Sequence, residues 1–271
     1  MKPIAKSLLL VGMMLATCIA TAEDRGTVAL IGTGDMGDSL GPRLAALGYH
    51  VVYGTRSPDS DRVRELLTLT GNGATAATQQ QAAARGDIVF LLVPWPAMET
   101  VAQSLGKLDG KIVVDISMPF EQGRDGYPQS MLATSSAEMI QGWNPGARVV
   151  KTLATQGSQI IDDPLSAGGP ISVPIASDDR DAKLKVAAII DSLGLVPADF
   201  GPLRMARSIE ALQMIYMIPY VQRRKAMWEF YFRRSNYWAC HPPSESLVPV
   251  FDAASLAELP GRDNTRFEPC P

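Results

Sequence analysis

The sequence predicts a doubly wound α/β fold, with a mostly parallel sheet followed by a helical extension. Short apolar runs rich in branched residues, "TVALIG", "DIVFLLVP", "KIVVDISMP", "ARVVKTLA" and "ISVPIAS", are bounded by Gly, Pro or Asp and read as strands. Segments of helical length separate them, such as 96–105 and 179–193. The runs are nearly continuous in apolar character, so these strands are buried on both faces. Helix-separated strands of that kind pair in parallel.

The first unit opens with the strand "TVALIG". Leu40, Leu44 and Leu47 then recur at helical spacing, Gly48 closes that helix, and "YHVVYG" supplies the second strand. Between strand and helix lies Gly32-Thr33-Gly34-Asp35-Met36-Gly37, a G-x-G-x-x-G fingerprint in the context that gives it meaning. Gly32 permits the tight turn, Gly34 lets a pyrophosphate approach the backbone, and Gly37 lets helix and strand pack closely, with the helix N-terminus facing the negative charge. This is the Rossmann-type dinucleotide signature. An NAD site places Asp or Glu at the end of the second strand, whereas a 2'-phosphate there calls for a guanidinium and hydroxyl donors. Thr55-Arg56-Ser57 offers those donors and no carboxylate, so NADP(H) is the expected cofactor.

The α/β pattern fades near Gly201, after which the chain reads as helical to about Tyr237 and then as loop. The expected division is a signal peptide at 1–22, an NADP-binding Rossmann domain at 23–205, and a C-terminal helical and loop extension at 206–271. Tyr216, Tyr220, Trp228, Phe230, Tyr231, Phe232, Tyr237 and Trp238 are interleaved with Arg223, Arg224, Lys225, Arg233 and Arg234. Residues 209–238 could therefore form an amphipathic helix on an anionic membrane surface, a lid over a bound ring, or a helix packed on the Rossmann domain or on a second copy in a homodimer.

Composition bounds the function classes. The 271 residues are 46% apolar with a net charge of -3, and the pI is near 5.5. No basic surface of the kind that attracts nucleic acid is implied, and no nucleic-acid motif occurs. Past the N-terminus no apolar run is long enough to span a bilayer, because Gln213, Pro219 and 222–225 interrupt the best candidate.

The first 22 residues have the layout of a secretory signal: basic Lys2 and Lys6, an apolar stretch at 7–19, and small residues Ala20-Thr21-Ala22 before Glu23-Asp24-Arg25. Cleavage after Ala22 would make the protein periplasmic or secreted. An uncleaved membrane anchor, a lipoprotein signal at Cys18, and a cytoplasmic protein are the alternatives. Removal of the signal leaves Cys240 and Cys270, an even number in a disulfide-permitting compartment. Cys240 beside His241 lacks a second ligand cluster, so no metal site is expected.

On these motifs the chain resembles the NADP oxidoreductases that depend on the deazaflavin coenzyme F420, whose domain also forms the cytoplasmic half of the six-transmembrane metalloreductases. The resemblance runs from about Thr27 to Glu210 through "VVYGTRSP", "LLVPWPAM", "VVDISMP", "NPGARVVKTLAT", "VPIASDDRDAKLKVAAIIDSLGLVPADFGPL" and "ARSIEAL". It implies that Val93, Pro94 and Trp95 line the adenosine and ribose side. It also implies that Ser117, Met118 and Pro119, with Lys151 to Thr155 and so Ala154, border the nicotinamide.

The chain departs from the family at Met118, where Asn is usual before Pro, and at Lys151-Thr152-Leu153-Ala154, where "KAFN" is usual. The implied activity is hydride transfer between NADPH and a small-molecule acceptor, coenzyme F420 or a flavin. That chemistry needs alignment more than an acid or base, in keeping with a chain whose histidines are only His50 and His241. No catalytic side chain is assigned. Imine reductases and β-hydroxyacid dehydrogenases begin similarly but add a large helical domain that this chain lacks. The alternative is an exported nucleotide-binding or partner-binding protein that keeps the fold without redox catalysis.

Overall fold

The computed structural model describes residues 25–224 and 227–232. The signal segment, Cys240, His241 and Cys270 lie outside the described residues.

The chain runs β1 (Thr27–Ile31), α1 (Asp35–Ala46), β2 (His50–Gly54), α2 (Asp61–Thr70), β3 (Thr75–Ala77), α3 (Gln79–Arg85), β4 (Ile88–Leu91), α4 (Trp95–Ser104) and β5 (Ile112–Asp115). A hairpin of β6 (Phe120–Gln122) and β7 (Pro128–Ser130) follows, then α5 (Ser136–Trp143), β8 (Arg148–Lys151), α6 (Ser158–Asp162), β9 (Ser172–Ile175), α7 (Arg180–Ser192), β10 (Val196–Asp199) and, after a short 3-10 turn, α8 (Ala206–Val221). The main sheet has the order β3-β2-β1-β4-β5-β8 and is parallel throughout. Its direction of winding reverses at β1, which pairs with β2 on one side and β4 on the other, and such a switch point leaves a crevice at the carboxyl ends of the strands.

The apolar strand runs follow from the layering. Leu30, Leu40, Leu44 and Phe90 pack on one face, and Ile31, Leu91, Met98 and Val113 on the other, all fully buried. Each such side chain contributes about 1.5–3 kcal/mol of burial. Helix α1 lies close against the sheet because Gly37 and Gly41 share one of its faces. A Cβ at Gly41 would stand 1.6 Å from Tyr53 Oη, so the tyrosine ring occupies the space that the glycine leaves. The Tyr53 hydroxyl pairs with Thr70 Oγ1 at 2.7 Å, and burial pushes its pKa up to about 12.

Two expectations are corrected. "ISVPIAS" forms β9, but β9 pairs with β10 in a separate parallel ladder, joined to the main sheet by one antiparallel bridge between Lys151 and Ala176. The helix expected to reach about Tyr237 ends at Val221, and residues 227–232 carry no helix. Pro219 sits in the last turn of α8, where its ring removes a donor. The segment beyond runs along β9: Ser172 N–H donates to Phe230 O at 3.0 Å, and Phe232 N–H donates to Ser172 Oγ at 2.8 Å. Phe230 packs against Tyr216, and Phe232 against Phe200. Among the described residues no helix is long and apolar enough to cross a membrane.

Candidate functional site

The carboxyl ends of β1, β2, β4 and β5 open into one cleft of about 1050 Å³. At its centre is the turn from β1 to α1. Gly32 has φ +130°, and a Cβ there would meet Leu92 O at 2.6 Å, so no other residue fits. A Cβ at Gly37 would come within 2.8 Å of Gly32 O, so this glycine serves the close packing of helix on turn. Gly34 differs from both, since a Cβ built on it meets nothing within 4 Å. The first helical bond of α1 runs from Asp38 N–H to Gly34 O, and no side chain caps this N-terminus. The free N–H end of α1 therefore faces the cleft across open space, which suits an anion. Thr33, Asp35 and Met36 line the cleft beside it.

Beyond the end of β2, Thr55 and Arg56 line one extremity. Thr55 is tied to the sheet edge by its N–H bond to Ala77 O at 3.0 Å. Arg56 is exposed and makes no ion pair among the described residues. Ser57 follows it and donates its N–H to Thr55 Oγ1, but does not line the cleft. Gln79, which sequence reasoning missed, completes this corner from the first turn of α3. Its helix is announced by a capping box, in which Thr78 and Gln81 each bond the other's backbone N–H.

Beside the glycine turn, Val93, Pro94 and Trp95 line the cleft where β4, the strand next to β1, turns into α4. The Trp95 ring stacks on Trp143 with centroids 5.9 Å apart, which holds the start of α4 against α5. Ser117 and the half-exposed Met118 follow β5 and line the cleft, together with Phe120 and Met131 from the β6–β7 hairpin. Neither residue was foreseen, because Phe120 opens a three-residue strand that is otherwise polar and Met131 lies just past the equally short β7. Pro119 is buried, and Lys151 to Thr155 are buried behind the cleft without lining it.

Beneath Ser117 lies a buried ionic cluster. Lys151 Nζ donates to Ser117 O at 2.8 Å, to Ser136 Oγ at 2.8 Å and to Asp115 Oδ2 at 3.0 Å. Glu210 Oε1, from α8, stands 3.3 Å from the same ammonium. Asp115 Oδ1 accepts both the N–H and the hydroxyl of Ser117, at 2.8 and 2.6 Å. Burial raises the pKa of Glu210 against the opposing charge of Lys151. Gln213 Nε2 donates to Ala154 O at 2.8 Å and reaches Ser117 O at 3.4 Å. Leu153, beside Ala154, holds φ +51°, a left-handed conformation that costs a non-glycine residue about 1–2 kcal/mol. Removing one partner from such a cluster leaves a buried charge unpaired and costs about 3–5 kcal/mol.

The family described as NADP oxidoreductase, coenzyme F420-dependent, matches residues 27–119. The metalloreductase STEAP3 of Rattus norvegicus is 30% identical over 190 residues, covering 69% of this chain and 36% of that protein. This chain thus spans about a third of the length of that relative. The F420-dependent NADP reductase of Methanothermobacter marburgensis is 29% identical over 200 residues, covering 67% of this chain and 86% of that one. A crystal structure of a putative F420-dependent NADP reductase from Arthrobacter sp. FB24 superposes with a TM-score of 0.68 at 29% identity, over 77% of this chain and 100% of that one.

Proposed function

Because this chain belongs to the F420-dependent NADP oxidoreductase family, a family of NADP-dependent oxidoreductases, we propose that it passes hydride between NADPH and a deazaflavin- or flavin-type ring. The observation that carries the cofactor half is the corner at the end of β2. Arg56 stands there exposed, beside the Thr55 hydroxyl, with no carboxylate among the cleft-lining residues at that end. A ribose 2'-phosphate fits this donor set, and the ribose hydroxyls of NAD would lack their usual acceptor. The open space before Gly34 and the uncapped end of α1 suit the pyrophosphate. Val93 to Trp95 would flank the adenosine and ribose, and Ser117 the nicotinamide.

When bound, the cofactor supplies a hydride. The protein's share is alignment and exclusion of water. Met118, Phe120 and Met131 give the acceptor end an apolar wall, and the charged residues lining the cleft, Asp35 and Arg56, lie away from it. That wall suits the face of a flat, uncharged ring system in contact with the nicotinamide.

Titration of the purified protein with NADPH and NADH tests the reading. NADPH should bind more tightly, and Arg56→Ala should remove most of the difference. The loss of a charge-assisted phosphate contact is worth about 1.5–3 kcal/mol, or about tenfold to a hundredfold in Kd. Equal affinities in the unmutated protein would rule NADP preference out. Oxidation of NADPH by a 5-deazaflavin or by FMN then tests the acceptor.

A further inference from the structure

The buried cluster behind the cleft is more constrained than its charges alone suggest, and counting its protons shows why. Lys151 has three N–H bonds, and all three are used, on Ser117 O, Ser136 Oγ and Asp115 Oδ2. None remains for Glu210 Oε1, 3.3 Å away. Ser136 Oγ lies at hydrogen-bonding distance from Asp115 Oδ2 and 2.6 Å from Glu210 Oε1, yet a hydroxyl has one proton to give. If Ser136 donates to Asp115, that carboxylate accepts four hydrogen bonds and is satisfied as an anion. The short contact from Ser136 to Glu210 then needs a proton of its own, and the carboxyl of Glu210 is the group that can carry it. Glu210 Oε2 is buried with no hydrogen-bond partner, a poor setting for an ionised carboxylate. With a proton on Glu210 the count closes: Ser136 Oγ donates once and accepts twice, Glu210 Oε1 gives its proton to that hydroxyl while accepting the Ser136 backbone N–H at 2.8 Å, and Asp115 and Lys151 cancel in charge.

We propose that Glu210 is a neutral carboxylic acid in this protein, and that its proton frees Lys151 to hold the Ser117 carbonyl, making Glu210 a positioning residue for the nicotinamide end of the cleft. Each polar group of Ser117 is tied to this cluster, its N–H and hydroxyl to Asp115 and its carbonyl to Lys151, and Ser117 leads directly into Met118. An ionised Glu210 draws the Lys151 ammonium toward itself and off Ser117 O. The groups facing Glu210 are Asp115 from β5, Ser136 from α5 and Lys151 from β8, with Gln213 on its own helix. Arg207, one turn earlier on α8, is paired bidentately with Glu138 at 2.7 Å and adds no net charge. The upward displacement of the Glu210 pKa by burial agrees with the count. Only the step from Ser117 to the nicotinamide rests on the cofactor reading.

Two measurements separate the parts. Infrared difference spectra of the cofactor-free protein against Glu210→Gln should show the carbonyl band of a protonated carboxylic acid at neutral pH, lost in the variant and lost in the unmutated protein as pH rises. A missing band at neutral pH overturns the neutral acid. The fluorescence of bound NADPH should change over the same rise in pH in the unmutated protein and stay flat in Glu210→Gln, whose neutral amide has no proton to lose. Glu210→Ala should perturb that emission at every pH, with its NADPH Kd within about threefold of the unmutated value, since the phosphate contacts lie at the far end. The same pH-dependent change in Glu210→Gln as in the unmutated protein overturns the positioning role. A protein that shows the band but binds no NADPH refutes the cofactor reading and, with it, the nicotinamide role, while the neutral acid stands.

Discussion

Gly34 separates ligand binding from folding more cleanly than any other residue of the glycine turn. At Gly32 and Gly37 an added Cβ strikes backbone oxygens at 2.6 and 2.8 Å, so substitution there damages the fold itself. At Gly34 the backbone has φ -88° and ψ -168°, which any residue adopts, and the space before it is empty. Gly34→Val should therefore stay folded, with a melting temperature within a few degrees of the unmutated protein, and bind no NADPH, because the branched side chain fills the place of the pyrophosphate. Normal NADPH affinity in the folded variant would show that the turn cradles no phosphate. These residues were legible in the sequence because their roles are local: three glycines and an arginine at fixed distances from two strands. The buried cluster was not. Lys151 lies 36 residues from Asp115, and Ser136 lies 74 from Glu210, so only the folded chain reveals that they meet. Sequence reading set Lys151 at the border of the nicotinamide, whereas it stands one layer behind, holding Ser117 in place.

Among the elements, legibility followed burial. Strands β1, β4 and β5 are covered on both faces and read as unbroken apolar runs. Helix α7 is announced by Asp179, which caps it through Ala182 N–H at 2.8 Å and also pairs with Arg148, a contact that holds its carboxyl down at about 2. The hairpin strands β6 and β7 are three residues each and largely exposed, so no periodicity marks them. The tail misled for the opposite reason: its aromatic spacing mimics a helix, but Phe230 and Phe232 spend their apolar surface on Tyr216 and Phe200 in an extended path.

That packing of the tail has a pH signature. It leaves Glu229 Oε2 buried without a partner, and burial pushes the Glu229 carboxyl from 4.5 up to about 7. A raised carboxyl pKa in the folded state means the native protein keeps a proton that the unfolded chain releases. The stability it confers is complete below the ordinary carboxylate range and is lost as pH climbs from about 4.5 to about 7. With the partial exposure of Glu229 discounted, that loss should be about 1–2 kcal/mol. Urea midpoints measured at the two ends of this range should show the fall in the unmutated protein and a smaller one in Glu229→Gln. An equal fall in both would assign the pH dependence elsewhere.

At the scale of the whole molecule, the sheet that carries the cleft lies between two ends whose chemistry is written in the sequence. We propose that the first 22 residues direct export and are removed after Ala22. A chain threaded unfolded through a secretory channel brings no dinucleotide with it, so the cleft would fill on the far side of the membrane. The mature protein would begin at Glu23 and keep two thiols, Cys240 and Cys270, in a compartment where a disulfide can form. A bond between them would close a loop of about 30 residues and contribute about 3.5–4 kcal/mol, chiefly by restricting the unfolded chain. Intact-mass measurement on protein from the native host, alkylated with and without prior reduction, decides the matter. The expected outcome is an N-terminus at Glu23 and thiols that alkylate only after reduction. A retained Met1 with two freely alkylated thiols would overturn both export and the disulfide, and would return the cleft to the cytoplasm, where NADPH is plentiful.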